Sequence, residues 1–433
     1  MTGPLPLAGA DGGVGAADAG RPLGGLGRRR DRARLTGAVG FQRRPLETLA
    51  RGRRTGGRLF PLTSAVAGRM LVVGAPELAH EVLFAPPGTC LAGAANRRIL
   101  PVLPANSVLT LDGEAHSQRR RELAPMFRGE GLTAIAPVIR ELAAREVDRW
   151  PLGRPFAVLP RMRSLALRVA VRLILGIEDS ARVQQVERHL SEALRPYSML
   201  SGMSALARLG PLSPQAAADR GQRAFARGVA EVVRCGHLWD EASPRLLAPD
   251  EVFALLLAAH ETTATGLAWA IELLAWAPDA ADAVACELQG PQRPSLDAVI
   301  WESLRLRPPL VDIVRQVNAP MRLEGRSVPS GTLLLIPPPL IHREAATAEG
   351  DRFDIARFRD RQPDPRTWLP FGGGERRCLG APLAMLELRE VLPQIIERFE
   401  LLPARSEPER PRLHGTALVP ANGSCVVLRQ RRK

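Results

Sequence analysis

Apolar residues recur every three to four positions along much of this chain. From about 130 to 235 the period is helical, as in Leu132, Ile135, Val138, Ile139 and Leu142, with Pro, Gly and Ser breaking it near 196–214. A longer pattern opens at Pro249, which suits a first helical turn. Asp250 and Glu251 follow, where acidic side chains favour a helix N-terminus. It runs to about Trp276, stops before Pro278 and is apolar almost all round, so it predicts a long helix buried through the middle of the molecule. Ser295 can cap a further helix that ends before Pro308-Pro309, and a last helix spans about 379–399. Strand-like runs fall within 58–74, at 313–317 and at 332–336, and 337–370 reads as loop-rich. The tail, 412–429, reads as a hairpin turned at Asn422-Gly423. The sum is a predominantly α chain with small β-sheets.

Residues 1–40 are rich in Gly, Ala and Pro and read as a flexible leader. No basic stretch precedes an apolar one there, so a signal peptide is not expected. No linker divides residues 41–433, which are read as a single domain. No run reaches the roughly 18 apolar residues of a membrane span.

Composition changes the picture in two ways. The net charge is +14 and Lys433 is the only lysine. A coding bias towards arginine explains this, or a basic surface that recruits an acidic protein partner. Nucleic acid is not expected, because the arginines are scattered and aromatics are only 4%, too few for base stacking. The five cysteines, Cys90, Cys235, Cys286, Cys378 and Cys425, are far apart, odd in number and form no C-x-x-C pair. A disulfide framework or zinc site is therefore not expected, and a reducing cytoplasm fits. Gly13-Val14-Gly15 lacks the third glycine of a dinucleotide loop, and neither G-x-x-x-x-G-K-[ST] nor H-E-x-x-H occurs.

The chemistry concentrates in Phe371-Gly372-Gly373-Gly374-Glu375-Arg376-Arg377-Cys378-Leu379-Gly380. Glycines let a backbone approach something flat and bulky, and the amides and dipole of a helix start stabilise a thiolate. His116 and Arg120 are four apart and would share a helix face suited to a carboxylate. Glu302 and Arg305, three apart, would form a partly buried ion pair that needs further partners. Glu261-Thr262 interrupts the long apolar helix. Thr262 can bond back to the carbonyl of Ala258 and open a notch. A carboxylate in such surroundings points to function, whereas His260 reads as structural.

Phe371, Gly374, Arg376, Cys378 and Gly380 fit F-x-x-G-x-R-x-C-x-G, which resembles the haem-binding loop of the cytochrome P450 family. Ala258-Ala259-His260-Glu261-Thr262-Thr263 resembles its oxygen-activation stretch, and Glu302-Ser303-Leu304-Arg305 its E-x-x-R. Asp351-Arg352-Phe353 resembles the stretch that supplies a partner arginine to that pair. The likeness covers roughly 45–430. It implies the P450 fold, with a long central helix over a buried haem b. It also implies Cys378 as iron ligand, and His116, Arg120, Ala258, Arg315, Phe371, Gly374, Arg376 and Gly380 around the cofactor. Glu261 and Thr262 would deliver protons to O2, and Arg352 would join Glu302 and Arg305 to pin the cysteine loop. Val311, Asp312 and Ile313 would face the substrate pocket, where Asp312 could pair an amine or hydroxyl.

The resemblance implies a soluble, monomeric, cytoplasmic monooxygenase that hydroxylates or epoxidises a small hydrophobic substrate, in secondary metabolism. No flavin or NAD(P)H would be bound, so a ferredoxin and its reductase would supply electrons, docking on a basic surface around Arg376 and Arg377. Two other readings compete: a relative performing desaturation, oxidative coupling or rearrangement, and a non-catalytic haem binder.

Overall fold

Helix dominates, and the longest helix is the one the apolar pattern demands. In the computed structural model, which describes residues 40–64, 67–200, 214–234, 247–288, 290–346 and 350–431, Pro249–Ala275 forms a 27-residue helix. Pro249 sits in its first turn with Asp250 and Glu251 behind it. At 1.5 Å per residue the helix is about 40 Å long. Residues 251–256 and 263–275 are buried, while 257–262 are open on one side. The leader short of Gly40, the Gly13-Val14-Gly15 stretch, Cys235, Lys433 and much of 196–214 lie outside the described residues.

Around this central helix pack Glu130–Val147, Leu159–Leu175 and Ala381–Ile396. Their apolar faces meet in one core that includes Ile139, Met162, Leu165, Leu267, Ile271 and Val391. Further helices fill the stretch predicted to be helical, at Ser180–Leu200 and Pro214–Arg234. Among the described residues, no helix is long and apolar enough to cross a membrane.

The strands are β1 (Leu59–Ser64), β2 (Gly68–Val73), β3 (Cys90–Leu91), β4 (Phe156–Ala157), β5 (Ile313–Val317), β6 (Met321–Leu323) and β7 (Arg326–Val328). β8 (Leu333–Ile336), β9 (Phe399–Pro403), β10 (Pro411–His414), β11 (Ala417–Pro420) and β12 (Cys425–Gln430) complete the set. The largest sheet has the order β1-β2-β8-β5-β3, with β2 and β8 parallel and the other pairs antiparallel. Side chains on a strand alternate between faces. Val72 and Leu335 enter one apolar cluster, while Leu71 and Leu334 enter another on the opposite face. Both faces are therefore covered, which is why Leu333–Ile336 is apolar without alternation.

Three local expectations are corrected. The tail hairpin turns at Gly415, between β10 and β11, and not at Asn422-Gly423. After Gly423, which has φ +80°, β12 leaves that ribbon and pairs with β9 and β4. The Asn-Gly bend is real, but burial of Val426 and Leu428 in the main core chooses the partner. Ser295 lies inside the first turn of Pro294–Leu306, whose N-cap is Arg293. Its amide and hydroxyl both donate to Glu287, tying this helix to the preceding one, Pro278–Glu287. The loop-rich stretch 337–370 contains two helices, Pro338–Ala345 and Ala356–Arg359.

Candidate active site

The cysteine loop is folded by its own backbone. The Cys378 amide donates to the Phe371 carbonyl at 2.8 Å, closing a loop whose centre is the single 3-10 turn Gly374–Arg376. Cys378 then stands just before Gly380, the N-cap of Ala381–Ile396. Burial raises the Cys378 thiol pKa, while the Gly380 amide, the Arg120 and Arg377 charges and the Ala381 amide act the other way. Oriented amides and cations are what a thiolate ligand needs.

Gly374 is required for the loop to close. Its φ is +66°, and a Cβ there would stand 2.1 Å from the Leu83 carbonyl oxygen. It lets the loop close on the helix Pro76–Leu83, and it does not line the central cavity.

That cavity has a volume of about 1230 Å³. Sites for one drug-sized ligand are roughly 300–1,000 Å³, so this one has room for a large flat group and a substrate together. Cys378, Phe371 and Gly380 line one side, and Ala258, Glu261 and Thr262 the central helix side. His116, Arg120, Arg315 and Arg376 also line it.

The charges show what it is built for. His116 is buried, and burial with the Arg376 and Arg120 charges drives its pKa down to about 4. Arg315 is 6% exposed and donates to the Val314 carbonyl. Burial and the Arg376 charge lower its pKa to about 10. Neither Arg120 nor Arg315 has a carboxylate within ion-pair distance among the described residues. Cations withdrawn from water without anions are costly, so Arg315 and Arg120 suit a negatively charged guest. A lone cysteine also cannot complete an iron coordination sphere, and among the described residues no group of three His, Cys, Asp or Glu side chains is placed to hold a metal ion. A macrocycle that brings its own nitrogen ligands and two carboxylates satisfies both deficits. The residues present fit haem.

Arg376 is partly corrected. It lines the cavity, and its Nη2 donates to Asp112 Oδ1 at 2.7 Å while its buried Nε has no partner among the described residues. Asp112 in turn accepts the Gly93 and Ala94 amides at the start of the helix Ala92–Ile99. Arg376 therefore joins the cysteine loop to that helix, and its 8% exposed side chain cannot form part of an outer docking surface. Arg377 is exposed.

On the opposite wall, Thr262 Oγ1 donates to the Ala258 carbonyl at 2.6 Å, the back-bond its spacing suggests. Residues 257–262 are the open section of the central helix, so the expected notch faces the cavity. Glu261 is held in a two-pronged clamp: Arg163 Nε donates at 2.8 Å and Nη2 at 2.6 Å. His414 Nδ1 lies 3.6 Å from its other side. Burial by itself would raise the carboxyl. His414 and Arg163 outweigh it and hold Glu261 at about pKa 2. Arg163 and His414 are 98 residues before and 153 after Glu261, and no local pattern marks them.

Of the three pocket candidates, Asp312 and Ile313 line the cavity. Val311 does not. It is 1% exposed and packs in the cluster that holds Leu413 and Leu418, and Leu310 takes its place on the wall.

The buried pair beneath the loop is as expected in its two principal members. Arg305 Nε and Nη2 donate to Glu302 at 2.6 and 2.8 Å. The third member is corrected. Arg352 contributes its carbonyl, which accepts from Arg305 at 3.2 Å. The guanidinium beside Glu302, at 3.6 Å, is that of Arg357. His342, which the sequence did not single out, completes the tie. Its Nδ1 meets the Arg305 carbonyl at 2.7 Å, and its Nε2 accepts the Leu369 amide at 2.8 Å, two residues before Phe371. Trp368 Nε1 adds a bond to the Trp301 carbonyl at 3.1 Å.

A mainly helical fold, a cysteine loop at a helix start and an anion-hungry cavity under a notched helix together define a haem-thiolate oxygenase. Residues 249–426 match the profile of the family described as Cytochrome P450. Cytochrome P450 135B1 of Mycobacterium bovis is 32% identical over 431 residues, covering 92% of this chain and 91% of that one. Cytochrome P450 137 of Mycobacterium tuberculosis is 32% identical over 417 residues, covering 91% and 87%. The crystal structure of CYP175A1 from Thermus thermophilus superposes with a TM-score of 0.73 at 26% identity, over 90% of this chain and 96% of that one. The chain belongs to the cytochrome P450 family: it is a monooxygenase, an oxidoreductase that uses haem with a cysteine thiolate ligand and O2, takes electrons from redox partners and acts on a small molecule.

Proposed function

We propose that this chain inserts one oxygen atom from O2 into a small, largely hydrophobic substrate by hydroxylation or epoxidation, in secondary metabolism, with electrons from a ferredoxin and its reductase. One observation carries the reading: Cys378 and the Ala258–Thr262 notch line the same cavity. The bound haem supplies the oxygen-activating iron, made electron-rich by a thiolate. In this reading Cys378 Sγ ligates the iron, and Gly380 and Ala381 orient the sulfur through their amides. His116, Arg120 and Arg315 would hold the haem carboxylates, and Phe371 and Ala258 line the same cavity.

Thr262 is assigned proton delivery. Its hydroxyl donates to Ala258 and keeps lone pairs free to accept from a water in the notch. Glu261, ionised and clamped by Arg163, has to leave that clamp to carry a proton, and His414 beside it is half exposed to solvent. A substrate of apolar character fits walls built from Leu257, Leu310, Val314 and Ala417.

The electron donor is assigned to the face behind Cys378. A groove there is lined by Leu132, Met385 and Leu386 with Arg140, Arg377 and Arg389. Arg140 pairs with Glu390 and Arg389 with Asp297, so Arg377 is the lining arginine without a carboxylate among the described residues. This suits an acidic ferredoxin.

Labelled dioxygen tests the reading. Product formed by the purified chain with a ferredoxin and reductase is expected to carry one labelled oxygen. Thr262→Ala is expected to divert oxygen use to hydrogen peroxide, with about 10²-fold less product per O2 consumed. Unlabelled product would favour desaturation or coupling, and turnover untouched by Thr262→Ala would exclude this proton route.

A further inference from the structure

The cavity wall carries a carboxyl with no work inside the protein. Asp312 stands among Pro309, Leu310, Ile313 and Val314, all of which line the same cavity. It makes no ion pair and no side-chain hydrogen bond to another residue among the described residues. The other acids nearby are neutralised: Glu261 by Arg163 and Asp112 by Arg376. Arg120 and Arg315 also line the cavity, but no cation acts on Asp312.

The backbone on both sides of it is fixed. Before it, the Leu418 amide donates to the Pro309 carbonyl at 2.7 Å and the Val311 amide to the Thr416 carbonyl at 3.3 Å. After it, Ile313 enters β5 and pairs with Ile336 of β8. Asp312 is thus presented at the junction between the β10–β11 ribbon and the five-stranded sheet. It lines the same cavity as Cys378 and the notch. Burial pushes its carboxyl up to about pKa 7, with no neighbouring charge acting on it. A carboxyl in apolar surroundings is costly when ionised and unpaired, and an incoming cation removes that cost.

We propose that Asp312 is the recognition point for a cationic nitrogen, so that the substrate of this cavity is an apolar molecule carrying a basic amine. The proposal deepens the monooxygenase reading and rests on it only in taking this cavity as the substrate pocket. The amine anchors on the carboxyl, the apolar body packs on Leu310, Val314 and Ala417, and the anchoring decides which carbon faces the reactive centre.

The test uses the ferric holoprotein and two probes of one shape: (4-phenylbutyl)trimethylammonium and its neutral counterpart in which carbon replaces nitrogen. The quaternary nitrogen has no lone pair with which to ligate iron. Equilibrium dialysis is expected to show the cation bound about tenfold more tightly than its neutral twin. Asp312→Asn should abolish that preference and Asp312→Glu keep part of it. The proposal is overturned by equal binding of the two probes to the wild type, or by a preference that survives Asp312→Asn. It is also overturned if Asp312→Asn sheds haem and leaves the preference intact, since Asp312 would then serve a cofactor carboxylate. Dialysis needs neither oxygen nor reductant, so failure of the turnover reading and failure of this one are separately visible.

Discussion

At the scale of single residues, the same side chain does opposite work in different company. Glu302 and Glu261 both accept two bonds from one arginine, yet Glu302 is fully buried in a structural tie and Glu261 sits on a cavity wall. His342 is the residue on which the tie turns. Burial, with the Arg305 and Arg343 charges adding to it against the Arg305 carbonyl, lowers its pKa to about 3. Its folded pKa lies below the ordinary value of 6.5, so the unfolded chain takes up the proton first. The neutral, bridging imidazole is fully stabilising above 6.5, and its contribution falls as pH drops towards 3. His342→Asn is expected to lower stability at pH 7.5 by about 1–3 kcal/mol. The gap from wild type should shrink between pH 6.5 and 5 in urea unfolding of the haem-loaded protein. Parallel curves for the two proteins would remove His342 from this role.

At the scale of elements, the cysteine loop is held by its neighbours more than by its own residues. Its approach to Pro76–Leu83 depends on a glycine without a side chain at a left-handed backbone angle. Gly374→Ala adds about 1–2 kcal/mol of backbone strain and a collision with a carbonyl that cannot rotate away. The expected loss is about 3 kcal/mol or more, together with poor haem retention. Gly153, at φ +69° with nothing within 4 Å, isolates the strain, and Gly153→Ala should cost only about 1–2 kcal/mol. Equal losses in the two variants, measured by chemical unfolding, would mean that the loop can yield. The F-x-x-G-x-R-x-C-x-G spacing is legible because its members lie within ten residues of one another, although Gly374 meets Leu83 and Arg376 meets Asp112 from distant segments. The Glu302–Arg305 pair is legible because helix geometry puts i and i+3 on one face. Arg357 and His342 were not, because their bonds join separate elements. Arg352 and Arg357 are equally plausible by composition, and only the path of 350–357 decides between them.

At the scale of the whole molecule, the charge of +14 acquires a place to act. Arg377 is exposed and lines the Arg140–Arg389 groove as well as the edge of the cavity next to Cys378. Reduction of the ferric protein by an acidic ferredoxin is expected to slow about tenfold between 10 mM and 0.5 M salt, as screening shortens the reach of these charges. Arg377→Glu should slow it similarly at low salt without changing substrate affinity. Stopped-flow rates indifferent to both changes would place the donor elsewhere.

Alternation, period and spacing by themselves determined the central helix, the β5 and β8 strands, the cysteine at a helix start and the pairing of Glu302 with Arg305. Each of these is a property of neighbours within a few turns, where geometry follows from chain order. Only the tertiary structure decided that Arg163 and His414 confine Glu261, that Val311 turns into the core while Leu310 and Asp312 face the cavity, and that β12 deserts its Asn-Gly bend for β9. Those outcomes depend on which distant surfaces exclude water together, and burial is a property of the assembled molecule, not of any one segment.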